Sequence, residues 1–175
     1  MIALYCSNKL QKYIGFKENQ VKQTIVPELN SWNAHLFNIN RKKCLFFMNQ
    51  ETYFSFVVYD IKKPDIKNLN QLFITGFLFE LNKLKLITHE QEIQLKEHFS
   101  GVFLHSSINN RKVIGNMNSH IQILDFHKYE FEDMQDYFNT ETLNKIPLKQ
   151  IEYMYPYEAI QTKINQLFKG NLKIT

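Results

Sequence analysis

Lys43-Cys44-Leu45-Phe46-Phe47-Met48-Asn49-Gln50-Glu51-Thr52-Tyr53-Phe54-Ser55-Phe56-Val57-Val58-Tyr59 is the stretch that decides the fold class. Lys43 to Met48 and Tyr53 to Tyr59 are rich in aromatic and β-branched residues, and Asn49 to Thr52 is a polar interruption of hairpin-loop length. The segment therefore reads as two strands joined by a tight turn. Both arms are apolar on both faces, which predicts a central hairpin covered by helices and not a solvated edge.

The flanking sequence supplies those helices. After the break at Lys62-Lys63-Pro64-Asp65, Leu69, Leu72, Phe73, Phe77, Leu81 and Leu84 recur at helical spacing, predicting a core helix over 66–85. Thr88 with Gln91 three residues on is a capping box opening a second helix that carries Ile93, Leu95 and Phe99, with Gly101 as its stop. Val102 to Leu104 reads as a short strand. Ile114, Met117, Ile121 and Leu124 fall on one face of a helix over 111–127, with a strand at Ile121 to Phe126 as the rival reading. Pro156 suits the first turn of a last helix carrying Ile160, Ile164, Leu167 and Phe168, with Gly170 at its end.

Toward the N-terminus, residues 2–6 read as a buried strand, and Ser7 caps a short helix ended by Gly15. Glu18 to Ser31, interrupted by Pro27, reads mainly as loop, with room for one short strand. Residues 128–141, acidic and aromatic, read as a short exposed helix. Together these elements predict a single globular domain over 1–175. Its class is α+β: a small, mainly antiparallel sheet with the central hairpin at about 43–59, covered by several helices.

Composition narrows the function classes. Hydrophobic residues make up 44% of the chain, which argues against disorder. No apolar run approaches the roughly 18 residues of a membrane span. The start, Met1 to Cys6, lacks a basic leader region, so the expected compartment is the cytoplasm. Cys6 and Cys44 fit no metal spacing and read as reduced core thiols. The scattered histidines form no HExxH pair, and no Walker, GxGxxG or GxSxG segment is present. No metal or other cofactor is expected.

The charge is uneven. Residues 1–124 carry fifteen Lys/Arg and nine Asp/Glu, net +6, while residues 125–175 carry six and eight, net −2. Against nineteen lysines the only arginines are Arg41 and Arg111, each inside an Asn-Arg-Lys tripeptide. Arginine binds phosphate or carboxylate through a planar fork that lysine lacks. Around Arg41 lie Trp32, His35 and Lys42, a set able to stack a base and clamp a phosphate. Equally, Trp32 reads as a core plug and Arg41 as the partner of a buried carboxylate. Around Arg111, a helix start with Lys112, and Asn118 two turns on, is suited to an anion. It reads as well as a capped helix whose Gly115 packs against the hairpin.

The chain also resembles a bacterial family held as a domain of unknown function. The resemblance is carried by Lys9-Leu10, by Trp32 to Leu36, by Arg41 to Cys44 with Thr52, and by Asn110 to Asn118. It implies an intracellular bacterial protein and carries no activity with it.

Three function classes follow. The first is a nucleic-acid or polyanion binder using Arg41, Lys42, Arg111 and Lys112 for phosphate and Trp32 for stacking. The second is an enzyme or small-ligand protein with an anion pocket between the hairpin and the helix at 111, where His35 or His120 serves as acid or base and Asn118 contributes. The third is an interaction module of a toxin–antitoxin or defence pair, docking through the acidic segment at 130–141.

Overall fold

Ser31 to Ile39 sends Trp32, Ala34 and Leu36 to one side and Asn33, His35, Phe37 and Ile39 to the other, the period-two signature of a strand. In the computed structural model, which describes residues 1–16, 28–99, 101–106, 110–127 and 140–171, this segment is the middle strand of a five-stranded sheet. The strands are β1 (Ile2–Cys6), β2 (Ser31–Ile39), β3 (Lys42–Asn49), β4 (Ser55–Val58) and β5 (Val102–Ser106), in the order β4-β3-β2-β1-β5. β1 runs parallel to β2 on one side and to β5 on the other. β2–β3 and β3–β4 are antiparallel.

The α+β class holds, with two corrections inside it. The sheet is mixed, since β1 makes two parallel pairings. The hairpin over 43–59 also lies toward one edge, with β4 outermost and β2 central. Its doubly apolar character has another cause: helices cover both faces of the sheet, so an outer hairpin is as apolar as an inner one.

The helices are α1 (Asn8–Ile14), α2 (Leu69–Lys83), α3 (His89–His98), α4 (Arg111–His127), α5 (Thr140–Asn144) and α6 (Pro156–Asn171). Several begin and end as their sequences dictate. The Ser7 hydroxyl accepts the Leu10 N–H at 3.4 Å, and Gly15 closes α1 at φ +68°. Thr88 and Gln91 complete their capping box. A 3₁₀ turn over Asp65–Asn68 precedes α2. α4 runs unbroken through Ile121 to Phe126, which removes the rival strand. The exposed helix expected over 128–141 falls outside the described residues up to 139, as does most of the loop expected over 18–31.

On one face of the sheet, Ile2, Leu4, Trp32, Leu36, Phe47 and Phe56 pack with Leu10 of α1, Phe73 and Phe77 of α2, Leu95 of α3 and Ile160 and Ile164 of α6. On the other, Phe37, Ile39, Cys44, Phe46 and Met48 pack with Val113, Met117 and Leu124 of α4 and with Leu143 and Leu148. Cys6 and Cys44 are buried free thiols, pushed by burial up to about 12 and about 11. Among the described residues no helix is long and apolar enough to cross a membrane.

Candidate functional site

β2 and β3 are joined by only two residues, Asn40 and Arg41, with Ile39 opposite Lys42. Both central residues have positive φ, +48° and +65°, the requirement of a type I′ hairpin turn. Arg41 is therefore an exposed turn residue. Lys42 beside it is exposed, 3.6 Å from an Asp60 carboxylate oxygen and 4.9 Å above the Tyr59 ring. The hydrogen bond to Tyr59, then the charge of Asp60, hold its ammonium above the usual range.

The second tripeptide has a different local cause. The Asn110 side chain accepts the Val113 N–H at 3.3 Å, and its carbonyl accepts the Ile114 N–H at 3.0 Å. Asn110 is thus the N-cap of α4, and Arg111 and Lys112 are exposed first-turn residues. The shared Asn-Arg-Lys sequence is one residue pattern in two unrelated backbone roles. Asparagine tolerates the left-handed region in one and caps a helix in the other.

Trp32 is fully buried on the face opposite α4. Its ring meets Phe56, Phe73 and Phe77 edge-on at 5.7, 5.0 and 5.1 Å, and its indole N–H donates to the Leu29 carbonyl at 2.9 Å. It is a core residue and stacks on nothing from solvent. Gly115 is exposed, and a Cβ built on it meets nothing within 4 Å, so it neither packs on the hairpin nor admits a second backbone.

His35 and Asn118 do come together. The parallel pairing of β1 with β2 puts Tyr5 opposite Asn33 and Cys6 opposite Ala34. At the end of β1 the chain turns into α1, and the Ser7 N–H donates to the Ala34 carbonyl at 2.9 Å, which ties that turn to β2. α4 crosses the same side of the sheet through Ile114, Met117 and Asn118. The result is a cleft of about 330 Å³ whose polar lining includes Ser7, Lys9, Asn33, His35 and Asn118, with Tyr5, Ile114 and Met117 as apolar wall. It opens beyond the carboxyl end of β1, flanked by parallel strands, where ligands bind in open sheets of this kind. Arg41, Lys42, Arg111 and Lys112 do not line it.

Two polar groups of the cleft have a defined state. Asn33 is buried, and its side-chain oxygen accepts from the Gln50 amide at 2.7 Å, leaving its own N–H donors for an occupant. His35 is half-buried. Burial first, and the nearby Lys9 charge second, hold its imidazole below the usual histidine range, so the ring is neutral at pH 7 with one donor and one acceptor nitrogen. Tyr5 is backed by the ring of His105, its cross-strand partner, at 4.9 Å. Among the described residues no carboxylate lines the cleft, and the one cation lining it is Lys9.

His120 of α4, the other histidine considered as acid or base, is buried over Phe46 and does not line the cleft. Burial pushes it down to about 4. Among the described residues no group of three or more His, Cys, Asp or Glu is placed to hold a metal ion. Of the residues lining the cleft, sequence reasoning named only His35 and Asn118 and missed the rest, Lys9, Tyr5, Ser7 and Asn33 among them. The period-two pattern of β2, which puts Asn33 and His35 on one face, is a signal that could have found Asn33; the others meet there only through tertiary packing.

These features define an α+β protein with a cleft of small-molecule size between a parallel strand pair and a covering helix. The chain belongs to the family described as Domain of unknown function (DUF6933), which matches residues 3–159. No curated protein and no solved structure matches the chain. Three separate parts of the chain meet in the cleft: Lys9 at the start of α1, Asn33 to His35 in β2, and Ile114, Met117 and Asn118 in α4.

Proposed function

We propose that this protein, an intracellular bacterial one as the resemblance implies, binds a small ligand with an anionic or acceptor-rich end in the cleft beside α4. The observation that carries the reading is the convergence of Lys9, Asn33, His35 and Asn118 on one space without a carboxylate among them. A lysine ammonium and free amide N–H groups favour negative charge or carbonyl oxygen. The Tyr5, Ile114 and Met117 wall suits an apolar or planar body on the same ligand. A neutral His35 beside such a ligand accepts a proton near neutral pH, which gives the site acid–base chemistry if the ligand is a substrate.

The test is a thermal-shift and calorimetry panel of inorganic phosphate, aliphatic and aromatic carboxylates and nucleoside monophosphates. The expected hit stabilises the protein and loses about tenfold or more in affinity with Lys9→Ala, the scale of one charge-assisted hydrogen bond. A panel in which every stabilising compound acts on the Lys9→Ala and His35→Ala proteins as strongly as on the wild-type protein removes the reading.

A further inference from the structure

A second groove, of about 300 Å³, lies on the opposite side of the sheet, between α1 and the 3₁₀ turn that leads into α2. Its floor is apolar and partly aromatic, built from Tyr13, Ile14, Phe16, Ile66, Leu69 and Leu104. Its rim is cationic. Lys63 and Lys67 line it from the 3₁₀ side, and the Lys43 ammonium, outside the lining itself, stands 5.6 Å from the centre of the Tyr13 ring. The Ile61 N–H donates to the Lys43 carbonyl at 2.9 Å, which fastens the segment before Lys63 to β3.

The carboxylates nearby are already engaged. Asp60 pairs with Lys42 at 3.6 Å and Lys62 at 2.6 Å, and Asp65 accepts the Lys62 backbone N–H at 2.7 Å. Among the described residues no carboxylate lies within ion-pair distance of Lys43, Lys63 or Lys67. Among the described residues the groove is thus an aromatic slot rimmed by two cations free of carboxylate partners, with a third, Lys43, beside its Tyr13. A cationic rim over an apolar, partly aromatic floor matches a chain with repeating phosphates and flat apolar faces. A duplex keeps its bases stacked inside, out of reach of such a floor, whereas an unpaired strand offers them.

We infer that the groove between α1 and the 3₁₀ turn binds single-stranded nucleic acid, with bases against Tyr13 and Phe16 and phosphates at Lys43, Lys63 and Lys67. This surface is separate from the cleft beside α4 and draws on none of its residues.

Fluorescence anisotropy of a labelled oligouridylate across a salt series tests it on the full chain. With three lysines engaged, the slope of log K against log salt is expected near −2, from about −0.7 per phosphate neutralised on a single strand. Lys63→Glu with Lys67→Glu, both exposed positions, is expected to weaken binding more than tenfold and to flatten the slope. Phe16→Ala should weaken it about fivefold or more, the scale of one lost base stack. The charge-matched pair Lys83→Glu with Lys149→Glu should leave affinity nearly unchanged. The inference is overturned by absence of binding at low salt, by equal loss in the charge-matched pair, or by a duplex that binds as tightly as the single strand. It also falls if anionic phospholipid vesicles, and not the oligonucleotide, bind in a Lys63- and Lys67-dependent way. Loss of oligonucleotide binding in Lys9→Ala protein alone would move the nucleic acid to the other cleft and overturn the groove assignment.

Discussion

The side-chain amide of Asn144 hydrogen-bonds both backbone groups of Ser55, accepting its N–H at 2.9 Å and donating to its carbonyl at 2.8 Å. Ser55 begins β4, the outermost strand, opposite Met48 of β3. An open strand edge presents unpaired N–H and C=O groups. Here one buried asparagine, 89 residues away in sequence, supplies the pair of bonds that a further strand would make.

Asn144→Ala leaves both Ser55 backbone groups buried without partners. The expected loss is roughly 2–4 kcal/mol of folding stability, read from urea midpoints. Ser55→Ala is the matched control. The Ser55 hydroxyl has no partner among the described residues, so its removal should be neutral or slightly stabilising. Equal losses in the two variants would show that the contact matters for packing and not for hydrogen bonding.

His120 makes stability depend on pH. Its folded value is about 4 against an ordinary 6.5, because burial over Phe46 disfavours the charged ring. As pH falls below 6.5 the unfolded chain takes up a proton that the folded chain refuses. The stabilisation is therefore complete above 6.5 and is lost as pH drops toward 4, by roughly 3 kcal/mol at most. Urea denaturation at neutral and at mildly acidic pH should show a shallower acid loss in His120→Phe than in the wild-type protein. Parallel pH profiles for the two proteins would refute the assignment.

Local signals in this chain were legible, and long-range ones were not. The arms of β3–β4, the Ser7 and Thr88 caps and the whole of α4 follow from periodicity and capping residues within a few positions of one another. β2 did not, because Asn33, His35 and Asn38 gave Ser31 to Ile39 a polar look. Asn33 tolerates burial only through Gln50, seventeen residues away. The parallel pairing of β1 with both β2 and β5 depends on contacts across the chain that no window contains. The same divide runs through the candidate site. His35 and Asn118 were named for their chemistry, whereas Arg41 and Arg111 were named for rarity. Rarity is a property of composition and carries no information about which strand ends meet.

Arg41 lends itself to a direct check of that last point. It holds φ +65° in a two-residue turn, a conformation that costs a non-glycine residue about 1–2 kcal/mol, and it makes no ion pair among the described residues. Arg41→Gly creates the favoured Asn-Gly turn and should raise stability by roughly 1 kcal/mol. Ligand affinity in the cleft should stay the same, since Arg41 does not line it. A destabilised variant would mean that the guanidinium holds the turn.

Two helical glycines should respond in opposite directions to alanine. At Gly115 a Cβ meets nothing within 4 Å on the exposed side of α4, so Gly115→Ala should stabilise by about 0.5–1 kcal/mol through helix propensity. At Gly76 the Cβ would lie 2.9 Å from both Phe56 Cε2 and Val58 Cγ2, where α2 crosses β4. Gly76→Ala should therefore cost about 1–3 kcal/mol by overpacking. Thermal melts of the two single variants settle both signs.

Lys9 and His35 are coupled in the cleft, and that coupling is measurable without knowing the ligand. Burial is the larger cause of the lowered His35 value and the Lys9 charge the smaller. Removing the ammonium should move the His35 ring titration upward, yet leave it below the ordinary histidine value because burial persists. Proton NMR of the imidazole in wild-type and Lys9→Ala proteins reads this shift. An anion bound beside Lys9 should move the same titration upward in the wild-type protein, because protonated His35 then gains a negative neighbour. By linkage, affinity for that anion must rise as pH falls through the His35 titration. A His35 titration indifferent both to Lys9→Ala and to saturating ligand would separate the two residues, and with them the proposed site.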